Sequence, residues 1–264
     1  MGIYFTSIGA ALFGGPLLSS VLTLFMGLRQ LFLVSTFFPI ISLLVFFVSI
    51  KPGDMKEGKR GNSTETRNEG RVWDSLTRIF KIRNVIALCG ARIAFALSMG
   101  VFSTLFPVYA ESKLGFTPSL ISIFFSIRGL TNVLIRMPAG RLSDKIGRRK
   151  PFILAYSIAI IVFILLAYSE NSAFLMMIMA LYGVGWGMRV APSTALLSES
   201  VAIEDRTVAL ATFMTMFDVG STIGALLAGF TVTFLSTPTL MLLCVPIMFS
   251  ALMAVLLLSK EVVN

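Results

Sequence analysis

Eight apolar stretches, each about long enough to cross a bilayer, constrain this chain more than any other feature. They cover roughly residues 3–25, 31–50, 84–110, 117–138, 152–168, 173–195, 207–233 and 237–258. A helix needs about 20 residues, within a range of about 17–25, to traverse the hydrocarbon core. In lipid every backbone N–H and C=O must be satisfied by the protein itself, which leaves only helices and closed barrels. A barrel would show alternating segments of about ten residues, and this pattern is absent. The expectation is an all-α integral membrane protein with eight transmembrane helices. Composition agrees: of 264 residues, 56% are hydrophobic and 13% charged, whereas a soluble domain carries roughly 25% charged residues. The first stretch has no basic leader, and Gly14-Gly15-Pro16 interrupts it, so it reads as a span and not a signal peptide.

The net charge of +9 does not point to nucleic acid, because Lys and Arg lie in short connections between apolar stretches. Short loops rich in Lys and Arg stay in the cytoplasm. Residues 51–83 hold nine of them and the hairpin 140–150 holds five. Arg206 and Lys260 fall on the same side, Arg29 and Lys113 on the other. Both termini are therefore expected in the cytoplasm, in a multi-pass protein of the cell (plasma) membrane. Membrane lipid is then an obligatory partner.

Two isolated cysteines, Cys89 and Cys244, and no histidine offer no zinc site or disulfide framework. No metal and no cofactor is expected. An intramembrane enzyme would need a nucleophile–base pair or an acid pair within the spans, and the spans hold one carboxylate, Asp218. A channel would need a ring of like charges, which is not apparent. Four segments follow: two helices over 1–50, a polar linker over 51–83, six helices over 84–259 and a tail over 260–264. The linker core at 51–71 is polar and rich in Gly, Lys and Glu, a composition that leaves a segment without a fold of its own. Val72, Leu76, Ile79 and Phe80, with basic residues between them, suggest a short helix over 72–83 lying on the membrane surface. An ordinary helix start explains that pattern equally well.

Residues 140–150 read GRLSDKIGRRK. Gly140 and Gly147 bracket the stretch, which suits a tight turn. Asp144 is an anion able to cap a helix N-terminus. Arg148, Arg149 and Lys150 can hold lipid phosphates or pair with carboxylates. The stretch resembles the loop signature of the major facilitator superfamily, Gly-x-Leu-small-Asp-basic-x-Gly-Arg-basic. Gly140, Leu142, Ser143, Asp144, Lys145, Gly147, Arg148 and Arg149 match it. In that family the signature joins the second and third helices of each six-helix half, and here it joins the second and third helices after the linker.

Three further stretches are similar to parts of the same family. GAALFGGPLLSS (9–20) resembles the glycine-proline motif of the fifth helix of antiporters, through Ala11, Gly15 and Pro16, with Ser19 and Ser20 where that motif has a glycine pair. GVGWGMRVAPSTALLSES (183–200) resembles the tenth helix, with Glu199 and Arg206 in the acid–arginine pairing beside the charged loops. Gly183, Gly185 and Gly187 would let neighbouring backbones approach. MFDVGSTIGALLAG (216–229) resembles the eleventh, with Gly220 and Gly224 on one face.

The resemblance implies a secondary transporter that moves a small solute by alternating access, with proton-coupled, antiporter-like efflux as one form. It also implies that the chain starts at the equivalent of the fifth of twelve helices. Residues 1–50 are then the end of the first half and 84–259 a complete second half. The chain is expected to be a truncated product, one part of a split transporter whose second chain supplies the missing helices, or a relic. A non-transporting accessory subunit is the competing reading.

Ionisable groups within spans are costly and mark a functional pathway by default. Arg92, Arg128, Arg189 and Asp218 qualify, with Asn132, Tyr182 and Trp186 as polar neighbours. Trp186 and Arg189, three apart, would share a helix face. An ion pair between Asp218 and Arg189 or Arg128 is weighed against a proton or substrate role for Asp218. Arg136 is close enough to the cytoplasmic face to snorkel. By the family's pseudo-symmetry, Asp144 would meet the start of the first helix, beside the α-amino group of Met1, and latch the cytoplasmic side. The arginines lean toward an anionic or amphipathic substrate.

Overall fold

A computed structural model describes the backbone of residues 2–49 and 65–258. All eight apolar stretches form helices: α1 (Gly2–Phe25), α2 (Leu28–Ser49), α4 (Arg83–Ser112), α5 (Pro118–Ile146), α6 (Arg149–Tyr168), α7 (Ser172–Ser200), α8 (Arg206–Thr231) and α9 (Thr237–Leu258). A further helix, α3 (Glu65–Ile79), lies in the linker. Among the described residues seven helices are long and apolar enough to cross a membrane, and the shorter apolar stretch of α1 runs over Gly9–Phe25. Local chemistry sets several boundaries. Thr117 caps α5 by accepting from the Leu120 N–H at 3.3 Å, with Pro118 in the first turn. Asn171 caps α7 through the N–H groups of Ala173 and Phe174.

The six helices α4–α9 pack as two inverted triplets. α4 lies on α8 and α9 just as α7 lies on α5 and α6, while α6 meets α9 across the centre. Between lipid-soluble helices the hydrophobic effect gives little, so close packing through small residues must hold the unit together. A Cβ on Gly224 would strike the carbonyl of Leu97, and one on Gly220 would lie 2.7 Å from that of Ile93. Both glycines thus serve the packing that their spacing predicts. Gly183 and Gly187 do the same on the α5 side, against the carbonyls of Arg128 and Asn132. Gly100 against Ser221 and Gly129 against Leu12 complete the set, and neither stands out in the sequence. An aromatic cluster fills the space between: Phe102 meets Phe106 and Tyr182 at 5.1 Å, and Phe163 meets Tyr182 at 5.8 Å.

α1 docks antiparallel on α5. Gly9 faces Val133, Leu12 faces Gly129, and the Ser19 and Ser122 hydroxyls lie 3.3 Å apart. The predicted motif of Gly15 and Pro16 is not part of this seam. Nothing lies within 4 Å of a Cβ on Gly14 or Gly15, and these residues line a groove of about 570 Å³ between α1 and α2. Pro16 sits within a continuous α1.

Two linker expectations need correction. Residues 65–71, read as lacking structure, are helical, because α3 starts at Glu65; residues 50–64 lie outside the described residues. Nor does α3 rest on the membrane surface alone. Ile79 is fully buried in the bundle core and Ser75 is buried too, while Val72 and Trp73 remain exposed. Leu76 and Ile79 therefore pack on protein, and Phe80 stays exposed with Val72 and Trp73.

Candidate functional site

Two groups of charged residues define the site, one at the end bearing residues 140–150 and one within the spans. At the charged end, the expected hairpin is shorter than its glycines suggest. α5 remains helical through Ile146, and Gly140 sits inside it with Ala191 as neighbour. The turn is made at Gly147, whose φ of +88° favours glycine. Asp144 therefore lies in the last turn of α5. Its carboxylate pairs with Arg148 at 3.2 Å, one turn on, and Arg148 reaches Glu199 at 2.6 Å. One arginine thus joins the ends of α5, α6 and α7. Arg149 donates to the carbonyl of Leu256 and ties α6 to the last turn of α9.

The expected partnership of Glu199 with Arg206 is not formed. Glu199 is taken by Arg148, and Arg206 is exposed at the first position of α8. The acid beside it, Asp205, is buried and accepts two hydrogen bonds from Arg78 of α3, at 2.8 and 3.2 Å. That hydrogen bond raises the pKa of Arg78, opposed by desolvation and reinforced by the charges of Asp205, Asp74 and Glu204. Sequence reading missed this anchor, since neither residue matches a motif. The available signal was an acid just before an apolar stretch.

The numbers paired across the α1–α5 seam sum to about 141, so Gly2 lies level with about residue 139. Asp144 then falls about one turn beyond the start of α1, counting 3.6 residues per turn. Its expected contact with that start and with Met1 lies outside the described residues.

Within the spans, three arginines are buried: Arg92, Arg128 and Arg189 at 8%, 7% and 1% exposure. Among the described residues no carboxylate pairs with any of them. The expected ion pair of Asp218 with Arg189 or Arg128 is absent, because aromatic faces occupy their place. The Arg189 guanidinium lies 3.8 Å from the centroid of Phe95, with Tyr156 as its polar neighbour. Arg128 sits in a cage of Phe125 (4.6 Å), Trp186 (5.3 Å), Phe102 (5.4 Å) and Tyr182 (5.5 Å). Trp186 and Arg189 thus do not act on one group: the indole turns to Arg128 and the guanidinium to Phe95. Arg92 stacks on Phe213 at 4.4 Å and Phe217 at 5.0 Å, and donates to the sulfur of Met214.

Cation–π contacts contribute about 0.5–2 kcal/mol each, less than the several kcal/mol lost when a charge leaves water. Asp218 is exposed on α8, near enough to feel Arg92 without touching it. Asn132 is fully buried and accepts from Arg136 through Nε at 3.1 Å and Nη2 at 2.7 Å. Arg136 therefore turns back along α5 instead of snorkelling outward, since a buried amide oxygen one turn away offers two bonds.

A multi-pass helical bundle with charged groups along its spans and a linked cluster at one end is the architecture of a solute carrier. The sequence model of the Major Facilitator Superfamily matches residues 88–263, and the chain belongs to that family. It is 26% identical over 196 residues to the "Multidrug efflux pump LfrA" of Mycolicibacterium smegmatis (strain ATCC 700084 / mc(2)155). The match covers 73% of this chain and 36% of that protein, so the chain spans little more than a third of its curated relative. Membership places the chain in a family of multi-pass membrane transporters, which are not enzymes.

Proposed function

We propose that this chain is the carboxyl-terminal part of a secondary transporter that exports a small amphipathic solute by alternating access, driven by proton entry. One observation carries the reading. Among the described residues, α4–α9 form a unit whose charged end is held by ion pairs, while α1 meets it along α5 through glycine and serine contacts. A rigid unit facing its neighbour across an uncharged seam suits rocking of one bundle against another. The printed name of the M. smegmatis relative supports a drug-like solute.

In this reading residues 1–50 end the first half, 51–83 link the halves and 84–259 form the second. The remaining helices come from a longer polypeptide or a second chain, and both termini face the cytoplasm. Asp218 carries the proton. Arg128, Arg189, Asn132 and Trp186 line the path of an anionic or amphipathic solute. Gly140, Leu142, Asp144, Lys145, Gly147, Arg148 and Arg149 form the inner latch, with Glu199 as its acid and Arg206 beside it.

The test is uptake of a fluorescent lipophilic dye into proteoliposomes, with this chain joined to the helices that complete it. A proton gradient should drive dye movement. Asp218→Asn should abolish the driven component and leave dye counterflow. Asp144→Asn should cut exchange sharply with insertion intact. Labelling of Lys145 from the external side would overturn the orientation. A completed assembly that moves no solute would favour the accessory-subunit reading.

A further inference from the structure

The stretch 140–150 carries five cations, and internal contacts account for two: Arg148 by its acids and Arg149 by the Leu256 carbonyl. Arg141 and Lys145 stand one turn apart on α5, both exposed, and among the described residues no ion pair reaches either. Like charges four apart on a helix repel, so this arrangement gains from an anion between them.

The stripe they share holds Leu134 and Met137, exposed at 64% and 67%. Ala139 and Ser143, on the opposite side, are buried, Ala139 against Ala155 of α6 and Met188 of α7. α1 covers the neighbouring stripe at Ser122, Gly129 and Val133. The face of Leu134, Met137, Arg141 and Lys145 therefore turns out of the bundle.

Depth can be counted from Pro118 at 1.5 Å per residue: about 24 Å to Leu134, 29 Å to Met137, 35 Å to Arg141 and 41 Å to Lys145. The hydrocarbon layer is about 30 Å thick. With Pro118 at one boundary, Leu134 falls about 6 Å inside the other, Met137 close to it, and both cations beyond it in the headgroup layer. Met137, Pro138, Arg141, Leu142 and Lys145 enclose a groove of about 320 Å³.

We propose that this groove binds the phosphate of an anionic phospholipid, with Arg141 and Lys145 donating to its oxygens and an acyl chain along Met137 and Leu134. A free phosphate would offer the same oxygens, but nothing for the apolar floor. The site stands on the membrane-spanning fold and not on the transport reading.

The test uses the full chain in detergent, titrated with phosphatidylglycerol, phosphatidylcholine and inorganic phosphate, and counts retained lipid by native mass spectrometry. Phosphatidylglycerol should bind in preference to phosphatidylcholine, and inorganic phosphate should not displace it. R141Q or K145Q should each weaken phosphatidylglycerol about fivefold, and the double variant about thirtyfold, from roughly 1 kcal/mol per cation near an anionic surface. R141K/K145R should keep the preference, and K150Q should bind as the parent does. Both side chains are exposed, so the single variants carry the comparison if the double one folds poorly. Unchanged affinity in R141Q and K145Q, equal retention of phosphatidylcholine, displacement by inorganic phosphate, or an equal loss in K150Q would each overturn the site.

Discussion

The arginines at the charged end and those within the spans carry the same group in opposite surroundings. Arg148 and Arg78 stand partly in water, and each holds a carboxylate at 2.6–2.8 Å. Arg128 and Arg189 are buried among rings, and no carboxylate pairs with either among the described residues. Where water screens charge, a salt bridge is inexpensive and contributes little. Where it does not, a cation without a carboxylate is costly, and in the proposed transporter a bound anion would offset that cost. The first group holds helices in place; the second is left to the rings.

Opening the dry interior should break this contrast most severely. Gly183→Leu would drive a side chain into the Arg128 carbonyl and the Thr131 hydroxyl. We expect a loss of roughly 4 kcal/mol or more, seen as failure to elute as a single species in gel filtration. Arg189→Met keeps the shape and removes the charge. It should stabilise the fold by about 1–4 kcal/mol, as replacing buried ions with apolar side chains often does, while solute transport is lost. A lower melting temperature in that variant would mean that Arg189 has an anionic partner.

A more local effect is expected at α3. Asp205→Asn should release the helix, so that trypsin cuts at Lys81 or Arg83 several times faster. The raised pKa of Arg78 contributes stability that is present below the unfolded arginine value and lost only as pH rises through the higher folded one. From the arginine side, protection should therefore be the same at pH 6 and pH 9. The smallest effect belongs to Glu199→Gln, about 0.2–1 kcal/mol by thermal unfolding, fading as salt is raised.

The spans could be read from sequence because bilayer thickness and backbone satisfaction admit few alternatives. Ends and partners were harder. Arg141 and Lys145 read as loop because charge suggests water, yet a helix can carry charge past the membrane edge, and α5 does so to Ile146. Asp218 invited pairing with buried arginines on the basis of charge alone. The competing signal was present in Phe125, Tyr182 and Trp186, which stand within one turn of Arg128 or one to two turns of Arg189. Only the crossing of α4, α5 and α7 reveals that these rings reach the guanidinium groups first. Glu199 and Arg206 flank a short connection, and which basic group takes the acid depends on where α6 begins, something no spacing in α7 encodes.

The inverted packing of α4–α9 also bears on how the chain is made. α4, the first helix of the unit to emerge, finds its main partners in α8 and α9, the last two. Until those arrive, Arg92 has neither Phe213 nor Met214, and the flank of α4 that Gly220 and Gly224 pack against is bare. Biogenesis of this half must therefore end in one late closure, with the insertion machinery or lipid sheltering α4 for more than a hundred residues of synthesis.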